Sequence, residues 1–526
     1  MLSKVLQLYN TVKHLKVKQL RYQVQYRLNK PGKLTAYEQG YKVDDVHFLR
    51  FVTLPPVYPA AREDGTFIFL NQTATFGEAI DWSLSKYGKL WNYNLQYVNY
   101  LLQEDLPLAK RIGWLKSLHA WLREGRLPLE PYPASLRAIN TIRLLSARKF
   151  QDDSILSALQ GELNFLYCRP EFHLLGNHLL ENAFALMMGG AFFSNGKWVS
   201  KAQQLLQEEL EEQVLSDGAH FELSPMYHQI IFFRLLELLD WYSTWKGKDP
   251  AFESFLQEKA VKMSSWLQHM TYLNGDIPHF NDSANGISYN SAFLLQYAAE
   301  LGIVADEALN LSDSGYRKYG FKSYECIVDV AAIGPSYQPG HGHADALSFV
   351  MYADKKPLFV EVGTSTYQTD KRRALERSSA SHNTVVVNGR NQSQVWSSFR
   401  VGSRAQVKIE KDEITQLRAS HDGYKNIGVT HTREFIFSEK VVIKDEVQGE
   451  EATEIVAYFH IHPDREVQQK GSTIVVDNYI SLTFNEALSV NLSPYQMADG
   501  YNSYLEGQRV AVRFHDKLIT TISFLN

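Results

Sequence analysis

The sequence predicts an α+β chain in two parts, a helical domain followed by antiparallel β-sheets. From about residue 82 to 310, apolar residues recur at helical spacing. Near residue 320 the period changes, and short runs with strand character follow, punctuated by turn residues. The length, 526 residues, is enough for two or three domains with sizeable cores. Short loops between many helices suit helical hairpins packed as a bundle or ring. Many short strands suit an antiparallel sandwich or stacked sheets.

Taken in order, residues 1–35 carry Lys4, Lys13, Lys16, Lys18, Arg21, Arg27, Lys30 and Lys33 with no acidic residue. Leu and Tyr are interleaved at roughly helical spacing. This reads as a helix docked on the body, or as a basic amphipathic helix making weak contact with an anionic membrane surface or a polysaccharide. Residues 40–75 read as irregular. Trp82–Leu102 holds a run of large residues, and 130–135 reads as a loop in which Ser135 caps a helix over Leu136–Ala147. Further helices are predicted over 153–168, 177–193, 199–215, 225–245, 251–273 and 288–301. Strands are predicted at 326–333, 347–352, 357–362, 384–387, 405–409, 432–437, 440–447, 454–460, 473–476, 480–484, 509–514 and 518–524. The expected division is 1–75, a helical domain at 76–315, and a β domain at 316–526.

Composition excludes some functions. A net charge of −4 argues against a nucleic-acid binder. Aromatic residues make up 13% of the chain, which suits stacking on sugar rings and equally suits a large core. Cys168 and Cys326 are isolated, so no disulfide framework is expected. No apolar run is long enough to cross a membrane. The start lacks a secretory signal pattern, which favours the cytoplasm, although a chain trimmed of its leader would begin the same way and belong in the periplasm. The oligomeric state is not legible.

Chemistry-bearing residues concentrate in five stretches. The segment Gly340-His341-Gly342-His343-Ala344-Asp345 precedes a strand, and an extended chain would turn His341, His343 and Asp345 to one side. Two imidazoles and a carboxylate suit proton transfer or metal binding. In Gly176-Asn177-His178, Asn177 stands where it could cap a helix. Ser224-Pro225 is a helix start with Ser as cap and Pro first inside it, which puts Tyr227 and His228 in the first turn. Phe280-Asn281-Asp282-Ser283 reads as a polar turn between helices. His343, Glu361 and His382 fall on three neighbouring segments and suit a zinc site closed by water.

With these residues in view, the chain resembles the heparinase II/III-like polysaccharide lyases. The resemblance rests on Glu130-Pro-Tyr-Pro-Ala-Ser-Leu-Arg137, Gly176-Asn-His-Leu-Leu-Glu-Asn182, Ser224-Pro-Met-Tyr-His228, Gly340-His-Gly-His-Ala-Asp345, and Val362–Tyr367 running on to Ser381–Gly389, in that order. It implies an N-terminal α/α toroid, an incomplete helical barrel, followed by a β-sandwich or stacked sheets. It also implies β-elimination at a uronic acid, with an acidic polysaccharide as substrate and no organic cofactor. Asn177 matches the residue that neutralises the uronate carboxylate. Tyr227 and His341 match the proton-transfer pair, and His178 a second histidine. His343, Glu361 and His382 match the ligands of a structural zinc in some members, with Glu in place of Asp. The rival is a hydrogen-bonded Glu361 with no metal. Tyr132, Arg137 and Tyr367 are candidate sugar contacts, with an internal ion pair as the alternative for Arg137. Lys371, Arg372, Arg373 and Arg377 form either a sulfate-binding cluster or a solvated face. Two other functions stay open: a glycoside hydrolase using two of Glu130, Asp217 and Glu222, and a non-catalytic polysaccharide-binding or exopolysaccharide-assembly protein.

Overall fold

The computed structural model describes residues 2–38, 46–53 and 55–525. Part of the stretch predicted to be irregular, 40–75, therefore lies outside the described residues. Its later part forms a hairpin, Thr66–Phe69 with Gln72–Thr75.

The helical domain is built from an inner and an outer layer. Helices Pro131–Arg148, Gly176–Phe192 and Pro225–Thr244 pack against one another in sequence order. Between them in the chain, Asp153–Cys168, Gly196–Gln213 and Pro250–Met270 return on the outside. The inner helices are buried nearly all round, which matches their apolar residues on every face; Gly176–Phe192 leaves only His178 partly exposed. The outer helices keep a polar face. Local chemistry sets the starts: Asp152, Asn195, Ser224, Asp249 and Asn290 each accept backbone N–H bonds as N-caps.

The β domain begins at Tyr316, after the last helix of the helical domain ends at Glu300. Fourteen antiparallel strands form one connected network. Its organiser is Tyr504–Phe524, 21 residues long. One edge of this strand pairs with Ile480–Ala498, and the other with Lys440–Gln448 and then Ile455–Ile461. The path continues through Lys356–Phe359, Phe349–Ala353, Tyr324–Asp329 and Tyr316–Phe321. One apolar core fills the space the strands enclose.

Several expectations change. The basic N-terminus is two docked helices, Leu2–Val12 and Val17–Leu28. The segment 130–135 is no loop: Pro131 opens the helix, because its fixed φ suits a first turn, and Ser135 Oγ donates to Pro131 O. The run 82–102 is broken by Val98 at φ 54°. Helix Leu108–Glu124 and strands Tyr316–Phe321 and Gln416–His421 escaped the sequence reading. His515-Asp516-Lys517 is not a turn: one strand, Tyr504–Phe524, runs through it with a register irregularity, its pairing with Ile480–Ala498 passing from Phe514 to Ile519.

A buried charge cluster ties the sheet to the loops ahead of the cavity. Asp445 accepts from Arg433 Nε at 2.7 Å and from His431 Nε2 at 2.8 Å. Arg433 Nη1 also donates to Leu347 O (2.8 Å) and Asn383 O (2.6 Å). Burial opposes the Asp445 charge, but Arg433 and His431 outweigh it and pull its pKa down to about 2. A depressed carboxylate stabilises above its ordinary value near 3.8 and loses that contribution as pH falls through the folded value. Asp445→Asn should cost the β domain about 3 kcal/mol. Denaturant midpoints should show the gap to wild type at neutral pH, closing as pH falls from about 4 to about 2.

Candidate active site

A cavity of about 1620 Å³ lies between the two domains. Its central residues come from three helix starts and two β-domain loops. The first is the start of helix Gly176–Phe192. Leu175 and Gly176 both take positive φ, 66° and 60°. A Cβ at Gly176 would lie 2.2 Å from Gln338 Oε1 and 2.8 Å from Glu222 Oε1, so only glycine lets these side chains approach the helix end. Glu222 Oε1 accepts the Asn177 backbone N–H at 3.3 Å. Asn177 is therefore not the cap expected from sequence, because the cap position belongs to Leu175. The Asn177 side chain is left free on the cavity wall, and its Oδ1 is buried without a partner.

His178 follows, packed at a tilt of 40° against Tyr132 with ring centroids 4.3 Å apart. Its Nδ1 lies 3.1 Å from Glu171 Oε1. Burial works against the imidazolium, yet Glu171, Glu222 and Glu181 outweigh it and raise the pKa. Glu171 is fixed from behind by Asn182, whose Nδ2 donates to it at 3.2 Å.

The second start is Ser224-Pro225, as the sequence predicts. Ser224 Oγ accepts the Tyr227 N–H and donates to Asp282 O at 2.7 Å. Tyr227 is thereby aimed into the cavity. Its hydroxyl lies 3.2 Å from Tyr367 OH, and its ring lies against His341 with centroids 4.1 Å apart. Burial pushes the Tyr227 pKa well above 10, so the phenol keeps its proton.

Asp282 holds the junction together. Its carboxylate accepts from His341 Nδ1 (2.8 Å), His343 Nε2 (2.9 Å), Thr364 Oγ1 (3.2 Å) and both terminal nitrogens of Arg373. Burial opposes its charge, but Arg373 and the two imidazoles hold its pKa well below the usual carboxylate range. An ionised carboxylate only accepts, so both histidines must present N–H to it. In the neutral imidazole, His341 then carries its proton on Nδ1 and leaves the Nε2 lone pair free. That nitrogen lies 3.7 Å from Glu222 Oε2, an oxygen with no hydrogen-bond partner. Beside Asp282, Asn281 Oδ1 accepts the His343 N–H at 2.8 Å. The supposed turn at 280–283 is thus the keystone of the junction. In sequence its only mark is an Asn-Asp-Ser run after Phe280.

The structure brings Asn177, His178, Tyr227, His341, Tyr132 and Tyr367 together around the cavity. It takes Arg137 away. That guanidinium is buried in an ion pair with Glu162 and donates to Gln96 O, so it is not a sugar contact. Arg373 and Arg377 are fully buried as well, one on Asp282 and the other on Gly342 O, while Arg372 pairs with Glu376 and Lys371 is exposed, so the four cations do not act as one cluster. Asp217 accepts from Ser312 N, Ser314 N and Ser314 Oγ in the interdomain linker, and Glu130 pairs with Lys89.

The expected zinc ligands adjoin but do not converge. His343 and His382 have ring centroids 5.3 Å apart. Glu361 accepts from Ser348 Oγ (2.6 Å) and from His382 Nδ1, while the unpartnered nitrogen of His382 is Nε2, on the other side of the ring. His343 Nε2 points at Asp282. Among the described residues no group of three His, Cys, Asp or Glu side chains is arranged to hold an ion. As arranged, His343, Glu361 and His382 do not converge on one point, and Glu361 is hydrogen-bonded to Ser348 and His382. Asp345, on the same face in an extended chain, lies buried with Oδ2 unpartnered.

The model described as Heparinase II/III N-terminus matches residues 143–302, and that described as Heparinase II/III-like, C-terminal, matches 305–524. A heparin-sulfate lyase of Bacteroides stercoris is 24% identical over 335 residues, covering 56% of this chain and 48% of that protein. FtsZ-localized protein C of Caulobacter vibrioides is 24% identical over 380 residues, covering 64% and 63%. The matches thus span about half to two-thirds of these relatives' length. Among solved structures, heparinase III aligns over 85% of this chain and 80% of its own, with a TM-score of 0.69 and 21% identity. A heparan sulfate lyase mutant from Pedobacter heparinus aligns over 97% and 88%, with a TM-score of 0.60 and 15% identity. These likenesses establish the fold, an α/α toroid followed by antiparallel sheets.

Glu171 sustains the raised pKa of His178. In Glu171→Gln the imidazole midpoint of His178, followed by NMR, should fall; an unchanged midpoint would remove Glu171 as its cause.

Proposed function

The chain belongs to the heparinase II/III-like family, and we propose that it is a polysaccharide lyase cleaving a uronate-containing saccharide by β-elimination. The observation that carries this reading is the convergence of Asn177, Tyr227 and His341 on one cavity wall, with a phenol that keeps its proton beside an imidazole whose Nε2 is free to accept one.

The chemistry asks for three things. The C5 proton of a uronate is only weakly acidic while its carboxylate is charged, so a donor must stabilise the enolate as it forms. The Asn177 side chain lines the cavity, and its Nδ2 N–H groups suit that donor role. A base must take the C5 proton. His341 Nε2 suits it, because Asp282 holds the other nitrogen as N–H and Glu222 faces the imidazolium that results. An acid must protonate O4 as the C4–O4 bond breaks and the C4–C5 double bond forms. The Tyr227 hydroxyl suits that step. The imidazolium and the phenolate left behind are in ring contact, so the proton's return is short. His178, Tyr132 and Tyr367 are read as the sugar-facing surround. Weak surface attachment through the basic first two helices belongs to this reading as a possible way of meeting a polyanion. No step is routed through a metal.

The test is a panel of uronate polymers and oligosaccharides, read for the ultraviolet absorbance of a 4,5-unsaturated product. One member should give it. New reducing ends without unsaturation would move the assignment to a hydrolase, and bound polymer without product to a non-catalytic role. Tyr227→Phe should lower kcat by about 10²–10⁴-fold, and Asn177→Ala by about 10²–10³-fold, with circular dichroism unchanged. Turnover at the wild-type rate in either variant would strip that residue of its role.

A further inference from the structure

The cavity is walled by segments that reach from one domain to the other, and this bears on the length of chain it can accept. On the side of His178, the helices Leu2–Val12 and Val17–Leu28 lie across the junction. Gln19 Nε2 donates to Leu174 O (3.2 Å) and Tyr26 OH to Pro170 O (2.7 Å), holding them to the helical domain. Trp396 Nε1 donates to Thr11 Oγ1 (3.2 Å), and Lys16 Nζ sits 4.1 Å over the Tyr337 ring, holding them to the β domain. Thr11, Leu15, Gln19, Gln23 and Tyr26 line the cavity there. On the side of Tyr367, the tip of the hairpin at 66–75 makes a second bridge. Asn71 Nδ2 donates to Tyr501 O and Asn502 Nδ2 to Leu70 O, both at 2.9 Å. Tyr501 in turn meets Tyr367 edge-on at 5.3 Å. A polysaccharide bound through its interior must leave the reacting sugar in two directions. A cavity bridged on both flanks favours an end.

Charge distinguishes the flanks. Arg234 pairs with Glu181 and Glu237, Arg143 with Glu237, and Lys89 with Glu130. Beside the first two helices, Arg169, Arg400 and Arg404 line the cavity, and among the described residues none of them has a carboxylate in ion-pair contact. Arg404 is half-buried. Its Nη1 donates to Ser336 O at 2.7 Å, and its Nε is buried without an acceptor. Burial lowers its pKa to about 10, leaving it cationic at neutral pH. An unneutralised guanidinium in a partly dry wall is suited to a carboxylate or sulfate.

We propose that the site takes the free end of an acidic saccharide, with acidic groups of the bound end held along the wall that carries Arg169, Arg400 and Arg404 and the first two helices acting as the end stop. The proposal rests on the lyase reading. It makes the enzyme exolytic, releasing short unsaturated products from chain ends and acting well on oligosaccharides.

The test uses the full chain with a uronate polymer and with its size-defined oligosaccharides, following unsaturated product, solution viscosity and product size together. Absorbance should rise while viscosity holds, and short products should dominate from the start. The double variant Arg400→Ala/Arg404→Ala should raise KM for oligosaccharides about tenfold or more with kcat little changed. That tenfold corresponds to about 1.4 kcal/mol of lost binding. Run with sulfated and desulfated saccharides, a penalty on both assigns a carboxylate to the arginines, and a penalty on the sulfated form alone assigns a sulfate. Trp396→Ala with Lys16→Ala, which loosens the end stop, should add larger products. An early collapse of viscosity with large unsaturated products would overturn this proposal and leave the lyase reading standing. An unchanged KM in the double variant would overturn the arginine anchor. Absence of unsaturated product from every substrate would overturn both readings.

Discussion

A single buried carboxylate, Asp282, governs how the two domains meet. It sits in a loop of the helical domain, yet four of its partners, His341, His343, Thr364 and Arg373, belong to the β domain. A charge withdrawn from water this completely is tolerated only when it is paired and fully hydrogen-bonded. Arg373 supplies the countercharge and the imidazoles supply N–H. Because each partner is also tied to its own segment, the carboxylate sets distance and orientation across the junction. It also decides which nitrogen of His341 is free.

Electrostatics in the cavity then follow from what surrounds each group. Tyr227 meets mostly aromatic and carboxylate neighbours, and burial keeps its proton on. Glu222 is desolvated, which raises its pKa, although His341 pulls the other way. It reaches both the Asn177 backbone and the His341 ring, and so links a helix start of one domain to a loop of the other. That link depends on Gly176, where any side chain would collide with Glu222 and Gln338.

The same long-range logic explains why some residues changed meaning. Arg137 and Arg373 look alike in sequence, as cations in polar stretches. One is neutralised by Glu162 in the helical core and the other by Asp282 at the junction. Asp217 and Glu222 lie five residues apart, but Asp217 is absorbed by the linker's N–H groups while Glu222 faces the Asn177 backbone and the His341 ring. Nothing in local spacing separates these cases. Burial and partner decide them.

Periodicity alone was enough for the class of the fold, the order of its domains and most inner helices, because helix and strand periods are local properties of side-chain placement. Cap chemistry was equally local, so Ser224-Pro225 announced the helix that carries Tyr227. Motif order singled out Asn177, Tyr227 and His341, which the fold gathers around one cavity. Tertiary structure alone decided that Asn177 is a free side chain rather than a cap, that 280–283 is a keystone rather than a turn, that Arg137 is internal, and that Glu361 turns to His382 Nδ1. It also joined the first helices to loops nearly four hundred residues away, Thr11 to Trp396. These facts depend on which distant groups share a buried volume, and no local pattern in the chain encodes that.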